Sequence, residues 1–208
     1  IYSLNRITDN SSVEGGASLV YGLDYSLTNK SDNRDILNLN LANNFRFEEN
    51  NDISQINQMD EKVSNIFSEI GFNPNKNLSI NYTSAIKNNL KDIESESLKS
   101  NFNFKNFITE FDYINQNNTI EKNTYISNKT ILKLNEFNKF EFKTRKNKTK
   151  DLTEYYKIMY QYKNDCLAAS LEYDKEFYAD GELKPQNSLL FKLTFTPFAE
   201  FSSPDFVQ

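Results

Sequence analysis

The sequence predicts an all-β chain: an antiparallel up-and-down transmembrane β-barrel, present in part as about 10–12 strands of a larger barrel. Three observations lead there. Apolar residues recur at every second position along most of the chain, as in "CLAASLEYDKEF" and "SLLFKLTFTPF", and no sustained helical spacing competes. The alternating stretches run to about ten residues, which crosses a bilayer at barrel tilt and is nearly double the usual globular strand. Apolar content is 38% and mean hydropathy is −0.71, yet Tyr (12) and Phe (17) are abundant. A membrane barrel needs only alternate residues apolar, whereas a soluble core of this size usually needs more aliphatic side chains.

The elements follow in order. "GASLVYGLDYSL" sets Ala17, Leu19, Tyr21, Leu23, Tyr25 and Leu27 on one face against Ser18, Val20, Gly22, Asp24 and Ser26. After the polar loop "TNKSDNR", "DILNLNLANNFRF" sets Leu37, Leu39, Leu41, Phe45 and Phe47 against Asn38, Asn40, Asn44 and Arg46. Residues 48–61 have no period and read as a long loop. "KVSNIFSEIGF" is a weak strand, and "NLSINYTSAI" a stronger one with Leu78, Ile80, Tyr82 and Ile86 together. "SLKSNFNF" groups Leu98, Phe102 and Phe104; "NFITEFDY" groups Phe107, Phe111 and Tyr113, with a turn at Lys105 and Asn106. "TYISNKTILKL" is ambiguous in phase. "KFEFKTRK" sets Phe140 and Phe142 against Glu141, Lys143 and Arg145.

The last three strands alternate most clearly. Tyr156, Ile158, Tyr160 and Tyr162 oppose Lys157, Met159, Gln161 and Lys163. Leu167, Ala169, Leu171, Tyr173 and Phe177 oppose Ser170, Glu172, Asp174 and Glu176. Leu189, Phe191, Leu193 and Phe195 oppose Ser188, Lys192, Thr194 and Thr196. The tail "EFSSPDFVQ" shows no strand period. The total is roughly eleven strands; single-chain bacterial barrels have even numbers, so residues 1–208 read as one portion of a barrel domain whose first strands lie outside this chain. Within this reading Tyr156, Ile158, Tyr160, Leu171, Tyr173, Phe191 and Leu193 face lipid.

Composition narrows the chemistry. Histidine is absent, which removes the commonest general base and zinc ligand. A net charge of −5 gives no electrostatic reason to expect nucleic acid. The chain begins at Ile1 and carries no signal peptide, so it reads as a mature product or a fragment. Heavy asparagine use is read first as codon bias in an AT-rich genome. Asp174, Glu176, Asp180 and Glu182 supply too few closely spaced oxygens for a calcium loop, and the glycines at 15, 16 and 22 lead into alternation rather than a phosphate-binding helix. The carboxylate Glu172 is placed to pair across strands with Lys192 or Lys163, and Arg6 and Glu14 in the first segment are read as a pair or as residues that orient a loop. No catalytic, metal or cofactor residue is expected, and the chain is not read as an enzyme. Alternatives of other classes are an outer-membrane hydrolase, a porin or translocator, and a soluble β-sandwich binding module.

Two stretches carry a likeness to a known family. "YQYKNDCLAASLEYDKEFYADGELKPQNSLLFKLTFTPFAEF" resembles the carboxyl end of the LptD (OstA) family of lipopolysaccharide-assembly outer-membrane proteins, through Tyr162, Asp165, Cys166, Tyr173, Lys175, Phe177, Pro185, Ser188 and Leu193. "SLNRITDNSSVEGGASLVYGLDY" resembles an upstream stretch of that family, through Asn5, Arg6, Glu14, Gly15, Tyr21 and Gly22. The resemblance implies the C-terminal portion of a barrel of about two dozen strands in the outer membrane of a Gram-negative bacterium. It implies lipopolysaccharide (LPS) as cargo, released through a seam between first and last strands. It also implies a lipoprotein plug like LptE and a periplasmic bridge protein like LptA as partners.

Two sites follow from it. Cys166 lies in the turn "KNDCLA", where a lone cysteine is ordinarily a small residue at a strand start. By resemblance it stands where family members bridge to the amino-terminal domain, although here Leu167 follows instead of a second cysteine. The strand Ser188, Leu189, Leu190, Phe191, Lys192, Leu193, Thr194, Phe195 and Thr196 is placed at the seam. One of its edges is expected on the strand near 166–177 and the other on the first barrel strand, with Pro197 ending it.

Overall fold

A computed structural model describes residues 15–51, 53, 55–117, 122–177, 185–195, 199–202 and 206–207. The strands are β1 (Ser18–Asn29), β2 (Arg34–Arg46), β3 (Ile66–Asn75), β4 (Leu78–Ile86), β5 (Ile93–Phe104), β6 (Phe107–Asn117) and β7 (Lys122–Lys133). They continue as β8 (Asn138–Asn147), β9 (Leu152–Lys163), β10 (Leu167–Glu176), β11 (Gln186–Phe195), β12 (Ala199–Ser202) and β13 (Phe206–Val207). The only helical piece among the described residues is a 3-10 turn at Ile56–Gln58. Each strand from β1 to β12 sits beside its neighbours in sequence, in one sheet order, and β13 pairs with β11. This is an up-and-down meander; a sandwich would need two facing sheets.

By internal contact the chain divides into two compact units, Ile1–Lys99 with Ile114–Asn123, and Ser100–Tyr113 with Thr124–Gln208. In the first, β1 to β4 pair antiparallel, and the period-2 pattern stacks in register. Leu27, Leu37, Phe72 and Ile80 form one cross-strand row, and Tyr25, Leu39, Ile70 and Tyr82 the next. The opposite face carries Asp24, Asn40, Glu69 and Thr83, then Ser26, Asn38, Gly71 and Asn81. Pro74, which has no N–H to give, lies where the β3–β4 register shifts between Phe72 and Asn75.

In the second unit Leu132, Phe140, Tyr160, Leu171 and Phe191 lie opposite one another across five strands, and so do Thr130, Phe142, Ile158, Tyr173 and Leu189. Lys129, Lys143, Lys157, Asp174 and Ser188 make the matching polar row. The phase of "TYISNKTILKL" is now explained. Thr130 falls on the apolar face, where its hydroxyl meets that of Thr109 at 3.0 Å, and the Asn128 amide donates to Thr109 Oγ1 at 3.0 Å.

Burial is inverted relative to a soluble domain. Among the described residues the fully buried apolar side chains are Ala42, Ile53 and Ala85, while Asn44, Arg46, Ser64, Asn65 and Asn147 are wholly enclosed. Leu19, Leu23, Leu171 and Phe191 stand open, each roughly half accessible (46–57%). In each unit such apolar rows run across several strands and lie open on one face of the sheet.

The turns owe their form to asparagine. The side-chain carbonyls of Asn75, Asn89, Asn135 and Asn164 each accept two backbone N–H groups, from residues two and three positions on. Asn29 and Asn147 accept one each, from Ser31 and Lys150. This Asx geometry closes a tight turn at low cost, and it gives part of the asparagine content a structural use that composition does not reveal.

Candidate functional site

The polar face of the first unit is a dense hydrogen-bonding surface. The Asn40 amide donates to Asp24 Oδ1 at 2.6 Å, and the Asn81 amide to Glu69 Oε1 at 3.2 Å. The hydroxyls of Thr83 and Ser97 meet at 2.8 Å. Two hollows lie along this surface, about 780 and 580 Å³, and both are lined by Asn40 and Glu69.

The aperiodic stretch after β2 folds back over the first hollow, where Asn57 and Met59 join Ala42, Phe67 and Thr83 in the lining. Arg46 fixes its base. Its Nε donates to Met59 O at 3.1 Å, its Nη1 to Gly15 O at 3.2 Å, and its backbone N–H to Lys62 O at 2.7 Å. Gly16 turns there with φ +85°, a conformation that favours glycine. Glu94 (5% exposed) fixes the tip: one oxygen accepts the Asn57 N–H at 3.1 Å, the other the Asn65 amide at 2.6 Å. Asn57 and Gln58 both hold positive φ (61° and 53°), so the tip is strained and over-determined by these bonds.

The polar face of the second unit is ionic. Glu141 takes Lys143 at 2.8 Å and Lys139 at 3.9 Å. Arg145 pairs with Glu154 at 2.9 Å and stacks 4.2 Å above the Tyr125 ring. Lys157 bonds Asp174 and lies 4.0 Å from Glu172. The expected partners of Glu172 were Lys192 or Lys163; the ion pair goes to Lys157 instead, since Lys163 stands opposite Ala168, four residues away, and Lys157 is held on the Glu172 side by Asp174 directly opposite it. Among the described residues no three His, Cys, Asp or Glu side chains gather as a metal site.

The residues singled out from the pattern fall as follows. Tyr160, Leu171 and Phe191 share one cross-strand row, Ile158 and Tyr173 the adjacent one, with Tyr156 opposite Lys175 and Leu193 opposite Ala169. Cys166 is exposed in the β9–β10 turn, its N–H on Asn164 Oδ1 at 3.0 Å. Strand β11 holds Ser188, Leu189, Leu190, Phe191, Lys192, Leu193, Thr194 and Phe195, paired with β10 from Leu167↔Phe195 to Glu176↔Gln186. Thr196 and Pro197, with Arg6, Glu14, Asp180 and Glu182, lie outside the described residues.

A second expectation is corrected. The tail "EFSSPDFVQ", from Glu200 on, shows no strand period, yet β12 pairs with β11 from Phe195↔Ala199 to Lys192↔Ser202, and β13 adds Ser188↔Val207 and Leu189↔Phe206. The open edge of β11 supplies the ladder; the tail's own pattern does not. The roof built by Arg46, Asn65 and Glu94 had no sequence signal beyond polar residues in a strand's polar phase.

An up-and-down meander with one open apolar face and one charged face defines a class, the wall of a membrane β-barrel. No described helix is long and apolar enough to cross a membrane. The chain belongs to the LptD family: the family model for LPS transport system D matches residues 1–173. Its role is therefore in LPS transport and assembly, in a family of Gram-negative outer-membrane proteins. No curated protein matches the chain.

Proposed function

We propose that the chain is part of the barrel wall through which LPS is delivered to the outer leaflet, and that delivery runs through a lateral seam at β11. The observation that carries the reading is the register of the apolar rows over five consecutive strands, with a row of lysines and carboxylates on the reverse. In a barrel the first face meets lipid and the second lines a wet lumen. Tyr156, Ile158, Tyr160, Leu171 and Tyr173 then meet lipid.

Turn lengths orient the second unit. By the strand limits, two to four residues join consecutive strands at the end that carries Cys166, and four and nine join them at the other. Short turns mark the periplasmic end of such barrels, so Cys166 faces the periplasm, which is oxidising. A disulfide from Cys166 to a periplasmic segment outside this chain fits that position. A lipoprotein like LptE inside the lumen and a bridge protein like LptA below it complete the proposed route.

The far edge of β11 is covered by six tail residues in two short pieces. An unpaired edge in lipid is costly, because its N–H and C=O groups lose water without replacement. A short, broken cover is easier to displace than a full strand. A cysteine at Thr194, cross-linked to the first barrel strand of the intact protein, is expected to stop LPS reaching the cell surface while the barrel remains folded. Normal export by the locked barrel would make β11 ordinary wall.

A further inference from the structure

The polar faces of the two units differ in chemistry. In the second, lysines and arginine dominate the paired rows. In the first, the charged residues lining the two hollows are Asp24, Asp35, Glu69 and Glu96 against Lys99. The rest is amide and hydroxyl, with the apolar patches of Phe67, Met59 and Ile114. A phosphate is bound by bidentate arginines, by clustered lysines, or by converging backbone N–H groups at a helix end or nest. A single lysine beside four carboxylates is the opposite arrangement. A bridging cation is no way round it, since no described trio of carboxylates gathers to hold one.

What the surface does fit is a ligand whose groups both donate and accept. An asparagine amide offers two donors and an acceptor with two lone pairs; a serine or threonine hydroxyl offers one donor and two acceptor sites. Asn40 and Thr83 flank Glu69 in one row, Asn81 lies two residues along from Thr83, and the Ser97 hydroxyl meets that of Thr83; each keeps hydrogen-bonding capacity beyond the bonds to Asp24, Glu69 and one another, and Asn81 Oδ1 is enclosed without a partner. Sugar hydroxyls match such a set, and the C–H faces of a pyranose match Phe67 and Met59. At about 780 and 580 Å³ the hollows fall within the ~300–1,000 Å³ typical of small-molecule sites.

We infer that the polar face of β1 to β5 is a binding track for neutral sugars of the transported glycolipid, and that it disfavours the phosphate-bearing ones. The inference rests on the transport reading and adds the chemical class that this surface takes. Glu69 is central, because it borders both hollows. Its charge repels a phosphate, and its oxygens accept from sugar hydroxyls. The roof residues Asn57 and Met59 close the track over its wider part.

The test uses the intact protein with its assembly partners in detergent and two probes: a neutral hexose oligosaccharide free of acidic sugars and the same oligosaccharide carrying phosphate groups. Calorimetry is expected to show the neutral probe binding about tenfold tighter, the effect of like charges brought together. The variant Asn40→Leu with Thr83→Val is expected to weaken the neutral probe about fivefold or more, for two lost hydrogen bonds. Glu69→Lys is expected to shift preference toward the phosphorylated probe. Equal affinities, or a preference for phosphate in the unaltered protein, overturn the inference without any variant having to fold. Cell-surface LPS on depletion of the protein separates the two readings. Export that depends on the protein while the neutral preference is missing sinks the sugar track alone; export that does not depend on it sinks the transport reading.

Discussion

Asn29, Asn75, Asn89, Asn135, Asn147 and Asn164 each turn a side-chain carbonyl back onto a backbone N–H two or three residues ahead. Alternation decides where a strand runs, but these bonds decide where it stops. A turn residue can also hold charge. In the β8–β9 turn, Asp151 accepts from Lys146 at 2.7 Å, and its carboxyl is held below the ordinary 3.8 by that hydrogen bond first and by the lysine's charge second. A carboxyl depressed in the folded state adds stability above its unfolded value and loses it as pH falls through the folded one. The Asp151 carboxyl resonance is therefore expected to titrate below 3.8, and to return toward that value in Lys146→Met. An unchanged midpoint in the variant would show that the pair does not form in solution. The side chain is largely exposed, so the contribution is small and screened by salt.

Elements in this chain are of two kinds. The strands are specified by their own period. The stretch between β2 and β3 is not: it is polar, aperiodic and nineteen residues long by the strand limits Arg46 and Ile66. Its shape comes from partners far away in sequence, above all Glu94, which binds Asn57 and Asn65 from 37 and 29 residues off. Removing one partner of a buried hydrogen bond costs about 1–3 kcal/mol, because the other is left without water. In Glu94→Ala, hydrogen exchange across 55–65 is expected to quicken markedly while β9 and β10 keep their protection. Unaltered exchange in that stretch would mean that the bonds from Arg46, Asn43, Asn44 and Asn88 hold the roof without Glu94. β12 and β13 are the converse case: four and two residues without a strand pattern become strands because an edge is available.

At the scale of the molecule the deciding feature is that the two faces of the sheet differ in chemistry, apolar on one side and polar on the other. Leu171 and Ser170 are neighbours in β10, on opposite faces, opposite Phe191 and Lys192 respectively. Leu171→Lys in the intact barrel is expected to cost about 2–4 kcal/mol, the penalty for a lysine on a lipid face near the bilayer midplane, while Ser170→Lys is expected to be mild. Urea unfolding of each variant reinserted in detergent or bilayer reads the difference. Equal costs would remove the assignment of lipid to the face that carries Tyr160, Leu171 and Phe191.

The sequence by itself determined the all-β class, eleven of the strands, the face to which Leu171, Tyr173 and Phe191 belong, and a family resemblance that the match over residues 1–173 bears out. It could do so because period 2 is local: each strand states its two faces within its own ten or so residues. What the tertiary structure decided is long-range. Only pairing brings Asn40, Glu69, Thr83 and Ser97 onto one surface from four strands, folds the stretch after Arg46 across it, sends the ion pair of Glu172 to Lys157, and recruits the tail to the edge of β11. Each of these depends on which residues the register sets opposite one another, and a shift of one position would turn every side chain to the other face. The pattern of one strand fixes its faces; the neighbour's register fixes what those faces can bind.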